Sequence, residues 1–177
     1  GEGEGATGRR RAAMPGVRGG DANANEVVAR LAARTRGAGA AAMVLGRTDA
    51  HPEGHRFLGG ATRAGSELHL LCVGDMDDMR TDSTGLMNAG LSLTMDLWAE
   101  SAVDFGWESG MDRYVMHQVS NVHTQAISKA LDLDPALVPL TFPTRGTPGP
   151  AALPFTLAGV VDDLSAGGRV LLMGLGC

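Results

Sequence analysis

Residues 114–121 read YVMHQVSN, in which a histidine stands directly behind a short apolar run. The apolar run predicts a buried strand over 112–116, and the spacing that follows predicts a helix over 120–131. His117 therefore falls at the C-terminal end of a strand, the edge at which α/β folds bind their ligands. An imidazole there is suited to hydrogen-bond donation or to acid–base catalysis near neutral pH. A histidine that only caps a turn is the alternative.

The loop at residues 144–152, TRGTPGPAA, leads into a helix predicted over 150–161. Pro150 stands where prolines start helices, and the free backbone N–H groups of a helix start favour anionic or polarised oxygen atoms. The loop is therefore a candidate binding element, with an ordinary tight turn as the alternative. Because residues 151–161 are apolar on nearly every side, this helix is expected to lie buried between two layers.

The rest of the chain alternates predicted strands and helices, which favours the α/β class. Apolar residues at helical spacing predict a long helix over 84–107, which Gly106 can end. Met87, Trp98 and Trp107, on or near that helix, are most simply residues of the core or of a tunnel wall. Glycine turns and apolar runs predict further strands at 37–45, 56–62, 66–73 and 169–173.

Residues 1–36 differ in character from the rest of the chain. They are rich in Gly, Ala and Arg, with a short helix predicted over 26–34, and they are expected to be disordered. Residues 37–177 are expected to form the folded domain, since 44% of the chain is hydrophobic.

Composition excludes several classes of protein. A net charge of −5 gives no footprint for nucleic acid, and no apolar run approaches the length of a membrane span. No signal peptide is visible, and Cys72 and Cys177 are too far apart in sequence for a disulfide framework. A cytoplasmic location is expected.

No metal site is predicted. His51 and His55 are four residues apart, but a proline and a glycine between them oppose a helical metal pair. Four aspartates resemble half of a calcium loop, yet Arg80 stands where that loop needs glycine. These aspartates are Asp75, Asp77, Asp78 and Asp82. His123, further along the second predicted helix, is expected to face solvent.

Four segments together carry a family resemblance. HQVSNVHTQAISKAL and TFPTRGTPGPAALPFTLAGVV resemble the C-terminal half of 3-oxoacyl-ACP synthase III, and are more similar still to the related thiolase that joins two long acyl chains head to head in olefin biosynthesis. GAGAAAMVLG resembles the family's entry into the first strand of that half, and VLLMGLG its closing strand. The resemblance implies the C-terminal half of a thiolase-like α-β-α-β-α fold, with a mixed sheet and a buried central helix.

The resemblance also implies an activity, the Claisen condensation of acyl thioesters carried by CoA or by acyl carrier protein, without a cofactor. His117 matches the family's histidine, which donates a hydrogen bond to the thioester oxygen, and Thr147 falls where the family has an asparagine. Four glycines are expected to bind substrate: Gly146, Gly149, Gly174 and Gly176.

Three departures from the family pattern favour a second interpretation. Thr147 offers a shorter side chain with one donor in place of a carboxamide, and Ala38 replaces an aspartate. The half that carries the family's nucleophilic cysteine has no match in this sequence. Cys72 is interpreted as a buried hydrophobe, and Cys177 as a residue without fixed geometry. The chain is accordingly expected to dimerise with a cysteine-bearing half or a paralogue; the alternatives are an inactive truncated fragment and a non-catalytic partner subunit.

Overall fold

The structure is a computed structural model that describes residues 37–74 and 79–176. The segment 1–36, with its predicted helix over 26–34, lies outside the described residues. Cys177 and the first three aspartates of the acidic loop lie outside them as well.

The segment 37–65 has no regular secondary structure, so the strands predicted at 37–45 and 56–62 were wrong. Its apolar side chains are largely exposed, since no described residue pairs with it as a strand. The third predicted strand, at 66–73, is mostly wrong too, because Ser66–Leu71 form a 3-10 helix. An apolar run forms a stable strand only where a neighbouring strand accepts its backbone hydrogen bonds.

Two short strands follow, β1 (Cys72–Gly74) and β2 (Met79–Thr81), and they pair antiparallel. Cys72 is half-buried opposite Thr81, with 3.8 Å between its Sγ and the Thr81 Oγ1. Its interpretation as a buried hydrophobe is therefore only partly right, because the thiol lies beside a hydroxyl at the rim of the fold.

The predicted long helix is confirmed as α1, Ser83–Phe105. The Asp82 carboxylate begins it by accepting a hydrogen bond from the Gly85 N–H at 2.9 Å, as N-cap aspartates do. Gly106 ends it in the left-handed conformation, with a φ of 62°, which glycine adopts without steric cost.

The strand and helix around the histidine are confirmed as β3 (Arg113–Met116) and α2 (Asn121–Ala130). The last predicted strand is confirmed as β4 (Val170–Met173), which pairs parallel with β3, residue 113 opposite residue 170. Within the described ranges the strands thus make two separate pairs, and the single mixed sheet expected from the resemblance is not formed.

The core lies between α1, α2 and β3. Tyr114 and Met116 of β3 meet Trp107 there, and the Tyr114 hydroxyl donates to the Trp107 carbonyl at 3.0 Å. Trp98 packs against the same cluster, its ring centroid 6.1 Å from that of Trp107. The assignment of Trp107 to the core is confirmed; Trp98 is half-buried, like Met87, and packs against that core.

Short helices close the chain between α2 and β4. They are a 3-10 helix at Pro135–Leu137, α3 at Phe142–Arg145, a 3-10 helix at Gly149–Ala151, α4 at Ala152–Ala158, and a 3-10 helix at Val161–Asp163. The apolar helix predicted over 150–161 is thus shorter than expected. Only Ala152 and Thr156 of α4 are buried, so it is covered on one side rather than all round.

Across the described part of the chain, no helix combines the length and the apolar character needed to cross a membrane.

Candidate functional site

The two sequence motifs meet at the C-terminal end of β3. His117 is the first residue beyond that strand, and its backbone N–H donates to the Met173 carbonyl at 2.9 Å, extending the ladder with β4 by one bond. This bond fixes the main chain from which the imidazole projects. The predicted position of His117 at the edge of a strand pair is confirmed; its chemical role remains a prediction.

The His117 side chain is half-buried, and this burial lowers its pKa, because removal from water disfavours the charged imidazolium. At neutral pH the ring is therefore uncharged and carries one N–H donor and one acceptor nitrogen. A neutral donor of this kind can stabilise a developing negative charge on oxygen without first giving up its proton.

The loop at Thr147 lies against the same segment. The Thr147 hydroxyl donates to the carbonyl of Val119, two residues after His117, across 3.3 Å. The Thr147 carbonyl in turn accepts from the Gly37 N–H at 3.0 Å. A methyl group on Gly37 would overlap the Arg145 carbonyl, so the two segments approach closely. The structure thus brings His117, Thr147 and the glycine-rich entry segment to one place.

Of the four predicted substrate-binding glycines, two lie on this loop and two beyond β4. Gly146 ends α3 with a φ of 67°, and Gly149 begins the following 3-10 helix with a φ of 61°. Gly174 and Gly176 are exposed in the segment that follows β4. Substrate binding by all four glycines remains a prediction.

Gln118 is a site residue that the sequence analysis missed. Its side chain is 0% exposed, and its amide NH₂ donates to the Pro139 carbonyl at 2.9 Å. Its amide oxygen accepts from the N–H groups of Thr141 and Phe142, each at 3.2 Å. One carboxamide therefore ties the strand end to the chain that leads into the Thr147 loop. The signal was its place beside His117, directly after an apolar strand.

His123 was expected to face solvent, and that prediction was wrong. His123 is only 5% exposed, and it is one of the buried residues of α2 together with Thr124, Ile127 and Ser128. Ser120 begins the helix by accepting a hydrogen bond from the His123 N–H at 3.1 Å. Burial lowers the pKa of His123, and the nearby His117 lowers it further.

A small cavity of about 40 Å³ lies beside the Thr147 loop. Its walls include Ala38, Pro148 and the ring of Phe155, over which the Arg145 guanidinium sits at 5.2 Å. A larger groove of about 330 Å³ lies between α2 and the segment 133–140. Neither cavity holds a cluster of titratable groups.

The absence of a metal site remains a prediction. Within 37–74 and 79–176, no three His, Cys, Asp or Glu side chains converge as metal ligands. His51 instead faces Glu53, with 3.5 Å between Nδ1 and Oε1, on an exposed turn. Asp82 serves as the N-cap of α1.

Comparison with curated proteins gives two significant relatives of the same name. The acyl-CoA:acyl-CoA alkyltransferase of Xanthomonas campestris is 39% identical over 149 residues, which are 82% of this chain and 44% of that protein. The acyl-CoA:acyl-CoA alkyltransferase of Shewanella oneidensis is 28% identical over 163 residues, 82% of this chain and 46% of that protein. No protein-family model matches the chain.

Solved structures of related proteins superpose on this chain. A crystal structure of a Xanthomonas campestris OleA variant superposes with a TM-score of 0.82 at 38% identity, covering 88% of this chain and 47% of that one. An OleA variant with bound lauric acid and lauroyl-CoA gives 0.80 at 37% identity, covering 85% and 45%. The 3-oxoacyl-(acyl carrier protein) synthase III, FabH, of Xanthomonas oryzae gives 0.69 at 36%, covering 73% and 39%. The chain spans less than half the length of these relatives.

Proposed function

The chain is homologous to the C-terminal portion of thiolase-like condensing enzymes of the OleA and FabH type, and from this homology we propose that it supplies the oxyanion-binding part of a Claisen condensation of acyl thioesters in the cytoplasm. The observation that carries the proposal is the hydrogen bond from the Thr147 hydroxyl to the carbonyl of Val119, which lies two residues beyond His117.

The proposed substrates are long-chain acyl thioesters of CoA. The name of the Xanthomonas campestris relative specifies acyl-CoA for both substrates, and an OleA variant has been crystallised with lauroyl-CoA. The alternative carrier is acyl carrier protein, the substrate that the name of FabH specifies. In both cases the reacting group is a thioester carbonyl.

His117 is proposed to act on the carbonyl oxygen of the second thioester. When that thioester loses carbon dioxide from its α-carbon, or gives up an α-proton to a base supplied with the cysteine-bearing part, negative charge moves onto the oxygen. A neutral imidazole N–H, fixed where that charge develops, stabilises the enolate. The enolate carbon then attacks the carbonyl of the first acyl group and expels the sulfur that held it. The lowered pKa of His117 favours the neutral donor that this step needs.

The nucleophile is proposed to come from a cysteine outside the described residues, on this or another polypeptide. Cys72 begins β1, in the strand pair that does not contain His117. Its Sγ lies 3.8 Å from the Thr81 hydroxyl. Pairing with a cysteine-bearing half or paralogue therefore remains part of the proposal.

Thr147 is proposed to be the weaker of the two donors. Its one hydroxyl proton already points to the Val119 carbonyl. An asparagine at this position would add a second N–H and a longer reach. The proposal therefore assigns most of the oxyanion stabilisation to His117.

Complementation tests this function. The chain is mixed with the part of the Xanthomonas campestris relative that it does not match, and CoA release from a long-chain acyl-CoA is measured. Turnover is expected only with both parts present. His117→Ala should lower it by about 10²- to 10³-fold, the usual loss for one oxyanion donor, and Thr147→Asn should raise it. His51→Ala, on the exposed turn, is the matched control and should change nothing.

Turnover that survives His117→Ala would overturn this role for His117. Thr147 also gives a specific reason to consider a second function, a non-catalytic partner subunit, because the only donor of its hydroxyl is occupied. In that case the chain should bind a cysteine-bearing partner and change the partner's own rate, and His117→Ala should leave that change intact.

A further inference from the structure

The segment 43–45 exposes three consecutive large apolar side chains. Met43 is 58% exposed, Val44 93% and Leu45 85%. The backbone around them has no regular secondary structure, and none of the described residues forms a backbone hydrogen bond with residues 38–46. A contiguous exposed apolar stretch of this kind marks an interaction surface.

Contacts on both sides of this stretch hold it to the folded part of the chain. Before it, the Gly37 N–H donates to the Thr147 carbonyl at 3.0 Å. After it, the Arg63 guanidinium forms an ion pair with the Glu100 carboxylate of α1. A partner that binds residues 41–45 is therefore tied, through Gly37, to the loop that carries Thr147.

The similarity to OleA indicates which partner covers the stretch. The superposition with a TM-score of 0.82 covers 88% of this chain, and the residues it leaves out are fewer than those of the segment 37–65. Part of that segment therefore follows the backbone of OleA. Only 47% of the OleA chain is matched, so in OleA the same backbone course lies in a protein with a further half.

The pattern of exposure indicates how the partner binds. In a strand, neighbouring side chains point to opposite faces, so Met43 and Val44 would lie on different faces. A partner that covered one face would leave the other side chain in water. Strands with continuous apolar sequences are typical of sheets that are buried on both faces.

We propose that residues 41–45 bind as a strand in the sheet of the cysteine-bearing part, which covers them on both faces. Backbone hydrogen bonds to a strand of that part would supply affinity, and the alternating side chains would supply specificity. The inference rests on the proposed function, because that function requires the cysteine-bearing part. It adds the surface through which the two parts join.

Hydrogen exchange tests the surface without any substituted residue. The chain is produced together with the unmatched part of the Xanthomonas campestris relative, and the complex is isolated through a tag on that part. The backbone amides of residues 42–45 should exchange freely in the isolated chain and at least about 10²-fold more slowly in the complex. Amides that exchange at the same rate in both samples would overturn the proposal, as would failure of the two parts to co-purify.

Three glutamate variants test the two faces. Met43→Glu and Val44→Glu should each reduce the amount of chain retained with the tagged part by at least about tenfold, because a buried charge without a partner is strongly unfavourable. Val103→Glu is the matched control, at an apolar position that is 75% exposed on α1, and should be retained like the unsubstituted chain. All three variants should unfold at the same urea concentration as the unsubstituted chain when they are isolated.

Loss of the complex in only one of the variants at positions 43 and 44 would overturn binding as a strand that is covered on both faces. Equal loss in Val103→Glu, or a lowered unfolding midpoint in Met43→Glu or Val44→Glu, would overturn the assigned surface. Amide protection already present in the isolated chain would assign residues 41–45 to the segment 1–36 or to a second copy, and would overturn it too. A protected complex that releases no CoA would instead contradict the proposed function alone.

Discussion

Two regions of this chain have similar apolar content but opposite environments. Val115 in β3 is 0% exposed, whereas Val44 in the segment 37–65 is 93% exposed. The first valine lies in a strand that pairs with β4 and is covered by helices. The second lies in a stretch that no described strand pairs with. The core between α1, α2 and β3 is thus covered within the described chain, whereas the apolar side chains of the segment 37–65 are largely exposed.

The difference shows that an apolar run alone does not form a strand. A neighbouring element must also accept its backbone hydrogen bonds and cover its side chains. If the segment 37–65 does gain such a neighbour when a cysteine-bearing polypeptide binds, substitutions in it should be silent in the isolated chain and harmful in the assembled one.

The largest effect is expected from the same truncation made in both regions. Met116→Ala removes a side chain that is 2% exposed in the core, and should lower the free energy of unfolding by about 2–5 kcal/mol. Met43→Ala, at a position 58% exposed, should change it very little. Urea unfolding of the two variants checks this, and equal losses would contradict the contrast between the regions.

The second-largest loss of stability is expected when the Gln118 carboxamide is removed. Gln118→Leu would leave the Pro139 carbonyl and the Thr141 N–H without their buried partner, at a cost of about 1–3 kcal/mol. Gln125→Leu, exposed on the outer face of α2, is the matched control. If the two variants unfolded at the same urea concentration, the carboxamide would not hold the strand end to the loop.

Loss of the N-cap of α2 should lower the stability of the fold by a smaller amount. Ser120→Ala removes the acceptor for the His123 N–H and should destabilise the chain by about 1 kcal/mol. Ser92→Ala, exposed in the middle of α1, has no cap to lose and should be neutral or slightly stabilising. The unfolding temperatures of the two variants check this prediction. A larger decrease for Ser92→Ala than for Ser120→Ala would contradict it.

Stability should also depend on pH through the two buried imidazoles. The folded state lowers the pKa of His117 and of His123, so below the unfolded value of about 6.5 the unfolded chain takes up more protons. Their contribution is complete above that pH and is lost as the pH falls through the folded-state values. The free energy of unfolding should therefore decrease between pH 7.5 and 5.5. His123→Leu should make this decrease less steep. An unchanged slope would contradict the lowered pKa of His123.

The smallest effect is expected for the ion pair of the exposed region. The Arg47 guanidinium and the Asp49 carboxylate are joined by a contact of 2.6 Å, but both side chains lie in solvent. Exposed pairs of this kind contribute little, since water and salt screen them. Arg47→Ala should leave the unfolding midpoint unchanged at physiological salt. A clear loss would show that the segment 37–65 is more tightly held than its exposure indicates.

The sequence predicted the parts of the fold that depend on local signals. Helices α1 and α2 carry their own caps, Asp82 and Ser120, and their apolar faces follow the helical period. Strands β3 and β4 were predicted because apolar runs stood between clear turns, and the family resemblance placed His117 and Thr147 in the correct order. The comparisons with known proteins confirm the resemblance.

The failures have one physical cause, dependence on residues distant in the chain. The strands predicted at 37–45 and 56–62 require pairing that periodicity does not report. The inward direction of His123 depends on how α2 meets β3, and the role of Gln118 on a loop more than twenty residues later. The sequence identified the residue types at the site but not which of them would be buried together.

The hydrogen bond from the His117 N–H to the Met173 carbonyl carries a consequence for biosynthesis. A ribosome produces the histidine long before it produces β4, so a nascent chain carries the imidazole while the carbonyl that anchors it does not yet exist. Domains assemble as their segments emerge, and pairing between distant strands is the slow step. This half of the site is therefore set only after β4 has been made, and chains that stop shortly before Val170 would hold every proposed donor but could not orient His117 in this way.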